Sequence, residues 1–138
     1  MLLVGTYERQ LDGNGRLALP ADLRKNMADE CYLVKGTERC VSVVPATDFE
    51  RDVAEMREAV RRGERNRDEQ RALAGSAQFV KLDKQGRLNL DEHLRVWAEL
   101  ATDSPVIVAG AFDCIEIWSP ERHRRIDAAG SSALAGRE

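Results

Sequence analysis

The sequence predicts an α+β fold in which two tandem copies of one unit share a single core. Three observations carry this. A nine-residue phrase, Leu11-Asp12-Gly13-Asn14-Gly15-Arg16-Leu17-Ala18-Leu19, returns as Leu82-Asp83-Lys84-Gln85-Gly86-Arg87-Leu88-Asn89-Leu90, identical at six positions, and Leu23-Arg24 recurs as Leu94-Arg95 at the same offset of 71. Further on, Gly36, Cys40, Val41 and Val43 match Gly110, Cys114, Ile115 and Ile117 at an offset of 74, so the second copy carries three extra residues. Each copy, roughly 6–49 and 77–123, has a size at which an isolated domain struggles to bury enough surface, so the halves complete one core between them.

Each copy reads as strand, loop, strand, helix, strand. Thr6 to Leu11 is a short extended segment, and Asp12 to Gly15 is a turn cluster of residues tolerant of unusual backbone angles. Arg16 to Leu19 alternates as a second strand with Leu17 and Leu19 on one face. Pro20 opens a helix, where its missing N–H costs nothing, and Leu23 and Met27 form that helix's buried stripe. In the second copy Asp91 takes the proline's place as a cap, with Leu94 and Ala98 as the stripe. Apolar strands follow at Cys31 to Val34, Cys40 to Val44, Val106 to Ala109 and Cys114 to Trp118.

A further helix follows each copy. Thr47 with Glu50 has the capping-box pattern, ahead of Phe49, Val53, Met56 and Val60 at helical spacing. Ser119-Pro120 opens the equivalent helix after the second copy. Gly63 sits in a break, and Asn66 with Glu69 caps a short helix ending near Gly75. Residues 50–71 carry seven arginines against seven acids, the pattern of a solvated helical surface with i,i+4 pairs. The small, polar end of the chain reads as disordered. The division is therefore 1–49 for the first unit, 50–74 for a helical connector, 75–125 for the second unit and 126–138 for a disordered tail.

Composition bounds the function. The charged content is 33% and the net charge −3, spread as −1 over residues 1–49, zero over 50–74 and −2 over 75–138. No half is basic, so any nucleic-acid face must be local. No run of apolar residues approaches the length of a membrane span, and the apolar start lacks a signal-peptide core, which reads as a cytoplasmic protein. Cys31, Cys40 and Cys114 have neither close pairing nor ligand spacing, so buried reduced thiols are expected and no metal or other cofactor. The two histidines, His93 and His123, lie 30 residues apart in charged helical contexts, and no catalytic motif accompanies them; an enzyme with a small-molecule substrate is disfavoured.

The repeated loop carries the candidate chemistry. Gly15 and Gly86 allow the chain to turn through positive φ, and Asp12 and Asp83 can accept loop N–H groups and fix the turn. Arg16 and Arg87 then leave at a defined angle on the first residue of a strand. A guanidinium held this way matches a phosphate, or the O6/N7 edge of guanine, with two parallel hydrogen bonds. Arg9, Lys81 and Lys84 are candidate phosphate contacts, and the local charge is +1 over residues 9–16 and +2 over 81–87. The alternative is that Asp12 pairs with Arg16 and Asp83 with Arg87 merely to brace each turn.

These motifs resemble those of the MraZ family, tandem SpoVT/AbrB-like transcriptional regulators. The resemblance rests on Gly5-Thr6-Tyr7-Glu8, on the signature from Leu11 through Pro20 to Arg24, on its echo from Asp83 to Leu90, and on Ile115-Glu116-Ile117-Trp118-Ser119. It covers roughly residues 1–125. It implies two swapped-hairpin units forming one pseudo-twofold, barrel-like domain with flanking helices. It also implies a homo-oligomeric ring binding double-stranded DNA at G-containing direct repeats upstream of the division and cell wall gene cluster, as a nucleoid-associated repressor. The family's DNA-contacting arginine falls on Arg16, with Arg87 matching it in the second unit. Two departures stand out: Asp91 replaces a common proline, and the first loop lacks the lysine often present there. The competing reading is an antitoxin-like or structural oligomeric module that binds protein without sequence-specific DNA recognition. The tail lacks apolar anchors at helical spacing, which weighs against that reading.

Overall fold

The computed structural model describes residues 2–136. Its elements in chain order are β1 (Thr6–Leu11), β2 (Arg16–Ala18), α1 (Ala21–Arg24), β3 (Glu30–Lys35), a 3-10 turn (Thr37–Arg39), β4 (Val41–Pro45), α2 (Ala46–Arg61), α3 (Arg67–Ser76), β5 (Gln78–Lys81), β6 (Arg87–Asn89), α4 (Glu92–Ala98), β7 (Ser104–Gly110), β8 (Ile115–Trp118) and α5 (Pro120–Leu134). The α+β class and the tandem organisation are as the sequence predicts.

Six strands form one antiparallel sheet in the order β1-β7-β8-β4-β3-β5, and β2 pairs with β6 as a separate two-stranded ribbon. Exchanging the two halves turns the six-strand order into itself read backwards. β1 of the first half lies on β7 of the second, and β5 of the second lies on β3 of the first, so each half lends its leading strand to the other. The pseudo-twofold passes between Ser42 and Glu116 in the β4–β8 ladder and between Leu17 and Leu88 in the ribbon, both pairs lying at repeat-equivalent positions. The sheet does not close into a barrel. Its end strands β1 and β5 each pair on one side, and β2 and β6, which would have to continue the ladder, pair with each other instead.

The core explains why the two halves cannot be separated. Leu11, Leu17, Leu19 and Leu23 are buried together with their repeat counterparts Leu82, Leu88, Leu90 and Leu94, joined by Leu33, Val41 and Val43 and by Val106, Val108, Ile115 and Ile117. Removing this apolar surface from water contributes on the order of 1.5–3 kcal/mol per side chain before ordering costs. A half alone would leave one wall of that cluster wet.

Several elements depart from the sequence reading. α1 stops at Arg24, and Met27 is buried beyond its end, where the last turn tightens through Asn26 N–H to Leu23 O and Met27 N–H to Arg24 O. α2 starts at Ala46 rather than behind Thr47, because Pro45 ends β4 and delivers a fixed φ of −54° into the helix; no side chain caps it. Asp91 does occupy the N-cap position of α4, yet its side chain caps nothing. α3 has the expected capping box, Asn66 accepting from Asp68 N–H and Glu69 accepting from Asn66 N–H. The connector helices carry close pairs such as Arg61–Glu58 (2.7 Å) and Arg71–Asp68 (2.9 Å). The expected disordered tail is helical through Leu134: Ser119 caps Arg122 N–H, Pro120 holds the first turn, and the alanine-rich sequence sustains the helix. Arg137 and Glu138, the end of that expected tail, lie outside the described residues.

All three cysteines are free; Cys31 and Cys40 are buried and Cys114 is half-buried. Burial pushes the Cys31 thiol up to about 11 and those of Cys40 and Cys114 up to about 12. Among the described residues, no helix is long and apolar enough to cross a membrane.

Candidate nucleic-acid interface

The two repeated loops fold alike, and the reason is local. In the first, one oxygen of the Asp12 carboxylate accepts the backbone N–H groups of Asn14 (2.9 Å) and Arg16 (2.8 Å), and the other accepts Arg16 Nε (3.0 Å). Gly15, at φ +81°, lets its own N–H turn back onto the Asp12 carbonyl at 3.1 Å. In the second, Asp83 accepts the N–H groups of Gln85 (2.9 Å) and Arg87 (3.1 Å) and Arg87 Nε (2.9 Å), with Gly86 at φ +72°. The Arg16 backbone N–H holds the Asp12 carboxyl below its ordinary value, and the Arg87 backbone N–H does the same for Asp83. Each loop thus keeps its carboxylate ionised and its arginine fixed at Nε.

Each loop is also braced from the opposite half. Arg24, on α1, donates through Nε to the Asp83 carbonyl (3.2 Å), through Nη1 to the Met27 carbonyl (3.1 Å) and through Nη2 to Asp29 (2.6 Å). Its aliphatic stem fills the space where a Cβ on Gly86 would lie, 3.0 Å from that position. Arg95, on α4, donates through Nη1 to the Leu90 carbonyl (2.5 Å) and occupies the space beside Gly15. Leu90 N–H in turn bonds the Gly15 carbonyl (2.8 Å), and Leu19 N–H the Gly86 carbonyl (2.9 Å). The sequence reading assigned Arg24 and Arg95 no role. Their recurrence at the loop's own offset of 71 was the signal that they belong to the same device.

The bracing alternative is therefore realised: Arg16 pairs with Asp12 at 3.0 Å and Arg87 with Asp83 at 2.8 Å. It does not remove the guanidinium groups from solvent. The Arg16 side chain is 61% exposed and that of Arg87 62%. Asp12 engages Arg16 through Nε (3.0 Å), and among the described residues the terminal nitrogens of Arg16 make no hydrogen bond; Asp83 lies against both Nε (2.9 Å) and Nη2 (2.8 Å) of Arg87, which leaves Nη1 unengaged there.

Both arginines stand on the ribbon. The register pairs Arg16 with Asn89, Leu17 with Leu88 and Ala18 with Arg87. Leu17 and Leu88 are buried, so the alternate residues face outward, with Arg16 and Arg87 as diagonal neighbours about 7–8 Å apart. The outward face lines one open groove of about 770 Å³, which also holds Asp12, Asp83, Gln10, Gln78 and Lys81. Lys84 sits exposed on the second loop, outside that lining. Arg9 is not brought to the groove: its guanidinium lies over the Tyr7 ring at 5.5 Å and donates to the Glu8 carbonyl. Counting Arg16, Arg87 and Lys81 against the two aspartates, the groove is cationic by one charge on a chain of net charge −3.

Fold and site together define a class: an internally duplicated, strand-swapped α+β protein presenting paired, carboxylate-braced arginines on a two-stranded ribbon. The family model described as "MraZ protein, putative antitoxin-like" matches the chain twice, over residues 2–72 and 73–134. The chain is 37% identical to the protein named transcriptional regulator MraZ from a Nocardioides strain, over 98% of this chain and 92% of that one. It is 38% identical to that of Kineococcus radiotolerans (85% and 80% covered) and 39% identical to that of Micrococcus luteus (87% and 82%). The chain belongs to the MraZ family, whose named members are transcriptional regulators and not enzymes.

Proposed function

We propose that this chain is a transcriptional repressor that binds double-stranded DNA through the outward face of the β2–β6 ribbon. The observation that carries the reading is the pair of exposed arginines, Arg16 and Arg87, each fixed by its own aspartate, Arg16 at Nε and Arg87 at Nε and Nη2. A two-stranded ribbon fits the major groove of B-DNA, and an arginine fork there matches the O6 and N7 acceptors of guanine. Lys81, at the groove, and Lys84, exposed on the second loop, supply phosphate contacts that add affinity without sequence information, whereas Arg9, turned onto Tyr7, is not placed for one.

A chain of net charge −3 with one small cationic groove binds a single site weakly. Assembly into a homo-oligomeric ring supplies what the single groove lacks, because several identical grooves on repeated boxes gain through effective concentration. The exposed apolar side chains Leu2, Val4 and Phe112, gathered where Leu3 bridges Phe112, support self-association. The resemblance extends this to G-containing direct repeats upstream of the division and cell wall genes, read by a cytoplasmic, nucleoid-associated protein. The antitoxin-like wording of the family description supports a second reading, a protein-binding module.

A mobility-shift titration against the chain's own upstream region, wild type beside Arg16→Ala, tests the first. Arg16→Ala is expected to lose about 1–3 kcal/mol and to relax discrimination at one guanine. Unchanged binding by a folded Arg16→Ala/Arg87→Ala double variant would refute the assignment of the two loop arginines, and no sequence-specific binding by the wild type would leave the protein-binding module.

A further inference from the structure

The ribbon is twofold in its arginines and not in their neighbours. Ladder bonds run between Leu90 and Gly15 and between Leu19 and Gly86. Antiparallel alternation then makes Arg16–Asn89 and Ala18–Arg87 the non-hydrogen-bonded pairs, whose Cα atoms approach to about 4.5 Å. Arg16 thus stands directly beside an asparagine, and Arg87, at the symmetry-equivalent place, beside an alanine.

Asn89 is presented rather than used. It is exposed and lines the groove, and among the described residues its side-chain amide makes no hydrogen bond. Its backbone, by contrast, is held firmly. The Asn89 carbonyl accepts Gln78 Nε2 (2.7 Å), and Asp91 N–H donates to Gln78 Oε1 (3.1 Å), so one glutamine clamps the strand on both sides of Leu90. The residue equivalent to Gln78 in the first half is Tyr7, whose hydroxyl is directed to Asp22 instead (3.4 Å). Among the described residues, the clamp exists only on the side that carries the asparagine.

Resting on the DNA reading above, we propose that Asn89 is a specificity-determining residue that reads an adenine beside the guanine taken by Arg16. Ala18 leaves the related base pair beside Arg87 without that hydrogen bond. A carboxamide offers a donor and an acceptor side by side, which match N7 and the N6 amino group of adenine in the major groove; a methyl group offers only apolar contact, as to the thymine methyl. The site recognised by one chain therefore has polarity. The arginine pair alone would accept two orientations related by the pseudo-twofold, and the Asn89/Ala18 difference selects one.

The test is selection from a pool of duplexes with a randomised centre, using the full chain as wild type, Asn89→Ala, Ala18→Asn and Arg16→Ala/Arg87→Ala. Wild type should select a non-palindromic site, with adenine favoured roughly 5- to 150-fold at one position next to a guanine. Asn89→Ala should erase that adenine preference while keeping the guanines, which also shows that the variant is folded. Ala18→Asn should add an adenine preference at the symmetry-related position. An unchanged consensus for both single variants would overturn the assignment of Asn89. Equal selection by wild type and the double arginine variant would overturn the ribbon as the DNA-reading face, and no enrichment by wild type would overturn the DNA reading beneath it.

Discussion

Replacing Gly15 by alanine probes whether the cross-half brace holds the loop. Gly15 sits at φ +81°, and a Cβ there meets the Arg95 guanidinium and comes within 3.0 Å of the Leu90 carbonyl. The left-handed backbone costs an alanine about 1–2 kcal/mol. Displacing Arg95 sacrifices its hydrogen bond to the carbonyl of the buried Leu90, a bond with a charged donor, for a further ~1.5–3 kcal/mol. Gly63 provides the control. It adopts φ +78°, yet a Cβ there meets nothing within 4 Å, so Gly63→Ala carries the backbone cost alone. Urea unfolding of both variants at one protein concentration, with slopes of roughly 1–3 kcal/mol per molar, should separate their midpoints by about 1 M. In an Arg95→Ala background the excess cost of Gly15→Ala should shrink. Equal midpoints for Gly15→Ala and Gly63→Ala would refute the brace.

Further expectations follow from the same loops. Asp12→Asn removes a negative charge beside Arg16 and the acceptor that fixes it, so binding to random duplex should strengthen while discrimination among guanine-containing sites falls; parallel titrations with specific and random duplex measure both. Lys84→Ala should weaken all duplexes alike and reduce the slope of log affinity against log salt by about 1. For pH, Asp12 and Asp83 have carboxyls lowered from their ordinary value by the arginine backbone N–H groups, so their contribution to loop order is complete above about pH 4 and is lost as pH falls through the depressed value. Titration by NMR of the Arg16 and Arg87 amides should show no carboxylate transition between neutrality and about pH 5; a midpoint at or above the ordinary carboxylate value would contradict it.

Much of this was legible in the repeat itself. The leucines that recur at one offset are the ones buried at the shared core, and the glycine of each loop takes the positive φ its position demanded. Strand pairing was not legible in the residues. Thr6 to Leu11 and Arg16 to Leu19, joined by a short turn, have the local look of a hairpin, and the turn bond from Asp12 N–H to Arg16 O does form at 3.0 Å. Local signals stop there, and long-range partners decide: β1 goes to β7, β2 to β6. The same limit hid Arg24 and Arg95, which read as ordinary helix arginines until tertiary structure set Arg24 on the carbonyl of Asp83 in the second loop and Arg95 beside Gly15 of the first. The helical tail was missed for a different reason. Its small residues were read as too polar to fold, although alanine has high helix propensity once Ser119 and Pro120 have started the turn.

The exchange of leading strands has a consequence for synthesis. β1 leaves the ribosome well before its partner β7, which is made only after both loops, both connector helices and α4. The nascent amino-terminal half therefore waits with an unmatched strand and an exposed apolar wall, and the final topology closes late, through contacts distant in sequence that slow folding. Covalent fusion ensures that the awaited complement always arrives on the same polypeptide, so this closure is independent of how many copies the cell contains.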